Sequence, residues 1–250
     1  MLSSTKKILS SKAAISSFWS LSPKYWMSLT GKTLNTQGCL LYREGKFHDA
    51  YSNFQKALTE EEKDGSQDKQ LKLNILFNLG SVASVLGLVT QSQSALNDAL
   101  KLAVSEFGEN SPDVAKIHNT LGLMLVDQGR PHESFSHFDK CIKIFESQKD
   151  EDPESLANAY NNAGRAYETT SQFDAALEYY NKALELRRTF VGEESFPVAN
   201  SYNNIGMVLF NKGEMDKAID FLTKSVNIMT KVQGEQNQYE IGRASCRERV

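Results

Sequence analysis

The sequence predicts an all-α fold, a solenoid of antiparallel helix pairs, and three observations carry that prediction. Gly38, Gly80, Gly122, Gly164 and Gly206 stand 42 residues apart without a slip. At ordinary glycine usage four successive hits arise by chance about once in 10⁴ to 10⁵ trials, and a fixed period of that length is the signature of a repeat architecture. Seven residues beyond each anchor comes Gly45, Gly87, Gly129, Ser171 or Gly213, between two periodic stretches, where a helix hairpin needs its tight turn. The columns that follow are spaced by three, four and seven, so they share one helix face.

Those columns also predict how the helices pack. Ala50, Ser92, Ser134, Ala176 and Ala218 form a small column, and Ala57, Ala99, Cys141, Ala183 and Ser225 a second one. Small residues at all ten positions mean close helix approach, where a larger side chain would overpack. Between them runs a bulky column of Phe54, Leu96, Phe138, Tyr180 and Leu222, and an aliphatic one of Leu58, Leu100, Ile142, Leu184 and Val226 follows.

The pairs follow in order. Helices at 31–43 and 47–61 hinge at Gly45, and helices at 69–86 and 90–106 hinge at Gly87, with Gly108 capping the second. In the third pair Pro112 opens 113–128, and Pro131 sits in the first turn of 131–147. Pro153 opens 154–170, which turns at Ser171 into 173–190, capped by Gly192. Pro197 opens 197–211; Gly213 then leads into 215–232, for which Gly234 is the expected cap.

This grammar resembles the tetratricopeptide repeat, and the 42-residue form is similar to the kinesin light chain subclass. The stretches that carry it are Tyr160-Asn161-Asn162-Ala163-Gly164, Tyr202-Asn203-Asn204-Ile205-Gly206 and the Gly-x-x-x-Pro-x-Val-Ala link from Gly108 to Ala115. It covers roughly 31–239. It implies a right-handed superhelix whose first helices line a concave ligand surface, and, in the subclass, a cargo adaptor of a microtubule motor. Two departures stand beside it. Nothing upstream has the heptads by which such light chains join their motor, and Ser111 and Phe196 replace the histidine usual before the link proline.

Composition narrows the partners. Residues 1–43 carry six basic side chains and no acid, whereas 44–240 hold 30 acids against 19 bases, a net charge near −11. Nucleic acid is therefore not an expected partner of the solenoid. Three cysteines form no disulfide framework, which points to a reducing compartment, and no apolar run is long enough to span a membrane.

Both ends read differently from the repeats. Residues 1–30, rich in serine and lysine with Leu2, Ile8, Leu9, Ile15, Phe18 and Trp19 interspersed, are either a mitochondrial targeting segment or a disordered or capping tail, with Met27 a later start. The location is accordingly cytoplasmic or mitochondrial, and a mitochondrial assembly factor is one reading of the chain. Residues 240–250 match the in-frame translation of a sequencing-library adapter and are expected not to belong to the fold. The natural chain is then expected to continue past them. Without that continuation, the apolar flank around Leu222, Val226 and Met229 would be exposed.

The expected function is non-catalytic binding of a protein or peptide. Three residues before the anchors stand Asn35, Phe77, Asn119, Asn161 and Asn203, and one residue later Thr36, Asn78, Thr120, Asn162 and Asn204. Six before the anchors are Lys32, Asn74, Lys116, Asn158 and Asn200. Asparagine is a middling helix former, so its recurrence on one face needs a reason. A carboxamide donates and accepts, so it can clamp an extended peptide backbone, or it can brace neighbouring repeats. The column at 119, 161 and 203 is assigned to peptide contact, that at 162 and 204 to bracing. Residues just after the anchors would give specificity, Arg165 by pairing with a carboxylate, unless it pairs with Glu168. Phe77 and Phe210 are candidates for apolar pockets or for core.

Catalytic motifs do not emerge. His48, His118, His132 and His137 lack metal-ligand spacing, every glycine is accounted for by the repeat rather than by a phosphate loop, and no nucleophile sits at a strained turn. No cofactor, metal or small-molecule substrate is expected.

Overall fold

A computed structural model describes residues 23–64, 68–148 and 151–247, with side chains placed over 30–63, 68–148 and 151–234. Among the described residues there are ten helices and no strand. They are α1 (Pro23–Arg43), α2 (Phe47–Asp64), α3 (Lys69–Val85), α4 (Val89–Phe107), α5 (Pro112–Asp127), α6 (Pro131–Glu146), α7 (Pro153–Thr169), α8 (Phe173–Val191), α9 (Phe196–Lys212) and α10 (Met215–Arg247). The chain divides into two compact units, Met1–Glu106 and Phe107–Val250. The fold is an all-α solenoid in which the helices pack as hairpin pairs and successive pairs within a unit pack on one another.

The anchor glycines fix the approach within each pair. A Cβ on Gly38 would fall 2.5 Å from the Phe54 ring, on Gly80 2.6 Å from Leu96 Cγ, and on Gly122 2.8 Å from Phe138. At Gly164 the neighbour is Tyr180 at 2.9 Å, and at Gly206 it is Leu222 at 2.8 Å. The anchor and the bulky column 16 residues later are thus two halves of one contact. The small columns sit at the same seams: Ala50, Ser92, Ser134, Ala176, Ala57, Ala99, Cys141 and Ala183 have no exposed surface. Where the small residue is serine its hydroxyl is satisfied, Ser92 donating to the Gly80 carbonyl and Ser225 to that of Ala199, both at 2.8 Å.

The hairpin turns are alike. Gly45, Gly87, Gly129 and Gly213 have φ between +71° and +87°, and Ser171 takes the same left-handed conformation at φ 58°. The residue after each turn position donates back across it, Lys46 to Leu41, Leu88 to Ala83, Arg130 to Leu125, Gln172 to Tyr167 and Glu214 to Leu209, at 2.8–2.9 Å. This is the bond that closes a Schellman cap. The first helices are opened by Asp68, Ser111 and Asp152, whose side chains cap Leu71, Val114 and Ser155.

In the first unit, Ala50, Phe54, Leu79, Val82 and Ala95 form one apolar cluster, and Ala57, Leu71 and Ile75 another. In the second unit Tyr180, Leu184, Val198, Tyr202, Ile205 and Val208 close the last two pairs around α8 and α9.

Two boundaries depart from expectation. Helix α1 begins at Pro23 instead of 31, a proline being well placed in a first turn. Helix α10 runs to Arg247 instead of stopping at 232, so Gly234 lies inside a helix and caps nothing. Gly108 and Gly192 do take positive φ, +87° and +83°. Of the two terminal segments set apart by composition, residues 1–22 and 248–250 lie outside the described residues.

Candidate functional site

The first helices of the second unit carry a ladder of carboxamides. Asn162 Nδ2 donates to Asn119 Oδ1 at 3.0 Å, and Asn204 Nδ2 to Asn161 Oδ1 at 2.8 Å, each bond crossing from one repeat to the next. The column at 162 and 204 therefore braces neighbouring repeats. The column assigned to peptide contact shares in this bracing through its oxygens. Its amide nitrogens remain: no acceptor bonds Nδ2 of Asn119 or Asn161 among the described residues. Both residues are half-buried, and Asn203 on α9 is exposed.

Around this ladder the other candidates divide. Lys116 and Asn200 are exposed on α5 and α9. Asn158 accepts from Arg187 Nη2 at 2.8 Å. Arg165 does not pair with Glu168; it pairs with Asp127 of the preceding repeat. Glu168 accepts instead from the Tyr180 hydroxyl at 2.9 Å and from Asn211 at 3.4 Å.

The first unit repeats the ladder once. Asn78 Nδ2 donates to Asn35 Oδ1 at 3.1 Å and reaches Cys39 Sγ at 3.5 Å. Phe77 holds the next place in the column that Asn35 opens. It is half-buried and, with Tyr42, Arg43, Phe54 and Ser81, lines a cavity of about 300 Å³. Lys32 is exposed, and its carbonyl accepts from Thr36 at 2.9 Å. Phe210, the other aromatic candidate, is 50% exposed on α9.

Two polar features escaped the sequence reading. Arg187 on α8 is buried, and its Nη1 donates to Ser201 Oγ at 2.7 Å while Nη2 donates to Asn158. Burial lowers its pKa and nearby Glu154 works against that. Its column reads Glu61, Ala103, Phe145, Arg187, Met229, so a charge at a position that elsewhere in the second unit is apolar was the available signal. His118 on α5 and His137 on α6 share an Nδ1···Nδ1 hydrogen bond of 2.9 Å, one ring donating and the other accepting. Nineteen residues separate them, and their packing appears only once the hairpin is formed.

Of the described thiols, burial pushes Cys141 up to about 12 and raises Cys39, which disfavours the thiolate of a nucleophile at both. Among the described residues no three His, Cys, Asp or Glu side chains gather to hold a metal, and no helix is long and apolar enough to cross a membrane.

With this geometry in view, comparison with known proteins is informative. One tetratricopeptide repeat model matches residues 71–147 and 113–189, and a second matches 161–227. No curated protein matches the chain by sequence. Among solved structures, BtubC (BKLC) from P. vanneervenii is similar at TM-score 0.71 and 21% identity, over 83% of each chain. A putative kinesin light chain from Podosopora anserina aligns at TM-score 0.68 and 14% identity, over 83% of this chain and 98% of that one. A Rap protein complexed with competence and sporulation factor aligns at TM-score 0.70 and 15% identity, over 83% of this chain and 56% of that one. Identities this low show the fold. The repeat models span 71–227, well over half the sequence, and the chain belongs to the tetratricopeptide repeat family.

Proposed function

We propose that the chain is a non-catalytic scaffold whose first-helix face clamps an extended peptide by its backbone. The carboxamide ladder supports the reading most. Bracing uses one oxygen of each Asn119 and Asn161 and leaves a row of N–H donors at one-repeat intervals, continued by the exposed Asn203. Peptide carbonyls are the natural acceptors for such a row. Lys116, Asn158, Asn200 and Arg165 flank it in the second unit, and Lys32, Asn35 and Phe77 belong to the corresponding face of the first. That a Rap protein of similar fold is complexed with competence and sporulation factor supports the reading.

A peptide-display selection against the chain tests this. Selected peptides should lose about tenfold in affinity to Asn203→Ala with Asn200→Ala, both exposed, and be unaffected by Glu185→Gln on α8. Binders indifferent to the asparagine pair would refute the assignment.

A cargo adaptor of a microtubule motor is the second reading. The Asn-Asn stretches before Gly164 and Gly206 and the 42-residue period favour it. Co-purification with motor heavy chain is the expected result, and its failure under conditions that retain a known light chain would remove the reading.

A further inference from the structure

The valley between α6 and α8, floored by α7, is built of aromatic rings. Phe135 stacks on Tyr167 at 4.4 Å between centroids and 17° between planes, and Tyr167 on Tyr179 at 5.3 Å and 10°. Tyr160 continues the series 6.1 Å from Tyr179. The ladder opens into a cavity of about 830 Å³ whose apolar walls are Leu156, Tyr160 and Leu186. All of it lies in the second unit, on α6, α7 and α8, and it shares no residue with the carboxamide ladder.

The rim is acidic. Glu146, Glu178 and Glu185 stand around the opening with Lys182, and Arg188 pairs with Glu185 at 3.1 Å, so the carboxylates outnumber the cations. Glu146 accepts the Tyr160 hydroxyl at 2.6 Å, and no lysine or arginine pairs with it among the described residues. Lys182 shows what the site favours. Its ammonium lies 5.2 Å from the Tyr179 ring centroid and 5.8 Å from that of Tyr160, and it donates to Glu178 at 2.8 Å. A cation already rests on the aromatic faces inside the carboxylate rim, held by the chain's own side chain. Lys182 is nearly half exposed and therefore displaceable. A guanidinium would stack there better than an ammonium, being planar and less strongly hydrated.

We propose that this valley is a second docking surface, which takes a basic amphipathic segment of a partner protein with its arginines on the tyrosine faces and its aliphatic side chains against Leu156 and Leu186. Charge complementarity selects this occupant: the rim is anionic, within a solenoid whose 44–240 stretch holds 30 acids against 19 bases. An acidic peptide would meet three carboxylates.

The test uses the full chain and a fluorescein-labelled helical peptide with leucines at i, i+4 and i+7 flanked by arginines, beside its glutamate-for-arginine counterpart. The basic peptide should bind, more weakly as salt rises, and the acidic one should not. Glu146→Gln with Glu178→Gln and Glu185→Gln keeps side-chain shape and removes the charge, and should weaken binding about tenfold. Lys182→Met removes the resident cation and should tighten it severalfold. Asn203→Ala should change nothing, which separates this surface from the peptide face. Equal binding of the acidic peptide would overturn the proposal. So would affinity unchanged by the triple variant, or self-association of the chain that the triple variant dissolves.

Discussion

Gly164→Ala opposes two effects whose sizes the structure sets. In a helix interior the exchange is worth about 1 kcal/mol in favour of alanine. Here the new Cβ would sit 2.9 Å from Tyr180 Cδ1 and Cε1 and 3.1 Å from Cγ, against about 3.5–4.0 Å for unstrained carbon contact. The ring cannot give way cheaply. Contact at Cγ is contact at the root of the side chain, the residue is 2% exposed, and its hydroxyl is held by Glu168. Overpacking of this kind costs about 1–3 kcal/mol, so the net loss should be about 1 kcal/mol. In a Tyr180→Ala background the clash is gone and the same substitution should stabilise by about 1 kcal/mol. Urea unfolding followed by circular dichroism, for both singles and the double, gives the coupling directly. A Gly164→Ala effect of the same sign and size in both backgrounds would refute the idea that the glycine column exists to admit the bulky one.

Other outcomes follow from the same structure. Burial first, then His137 and Lys140, push His118 down to about 4, and His137 is also lowered by burial and by Lys140. Their folded state thus binds fewer protons than the unfolded one below the ordinary histidine pKa of about 6.5. Stability is complete above that pH and should fall by roughly 2 kcal/mol as pH drops from about 6.5 toward 4. Thermal melts across that window should show the loss, and His118→Asn should flatten it. Ser171→Gly should stabilise by up to about 1 kcal/mol, because Ser171 holds a left-handed conformation at φ 58° that glycine adopts without strain; a lower urea midpoint would count against the turn assignment. Ala176→Leu, at a position with no exposed surface, should destabilise by about 1–3 kcal/mol, and an unchanged melting point would undo the repeat register.

The fold was legible because the repeat writes each contact several times. The contact of Gly38 with Phe54 recurs in every later pair, and the turn glycines recur with it. What the period could not supply were the exceptions to it. Gly108 and Gly192 end helices with a proline four or five residues on, at Pro112 and Pro197; no proline follows Gly234. A lone glycine costs a helix only about 1 kcal/mol, too little to stop one. The asparagine columns were legible as a feature, but their geometry was not. That the side-chain oxygens of Asn119 and Asn161 are already engaged depends on how adjacent repeats face each other, at a spacing of 43 residues. Arg187, Asp127 and the His118–His137 pair were missed for a related reason: each acts across helices, through a side chain that its own column does not repeat.

The most direct test of the central claim is hydrogen–deuterium exchange of the full chain with and without a display-selected peptide. The account predicts slowed exchange concentrated on α5, α7 and α9, the helices that carry Asn119, Asn161 and Asn203. Protection confined to α6, α8 and α10 would contradict it.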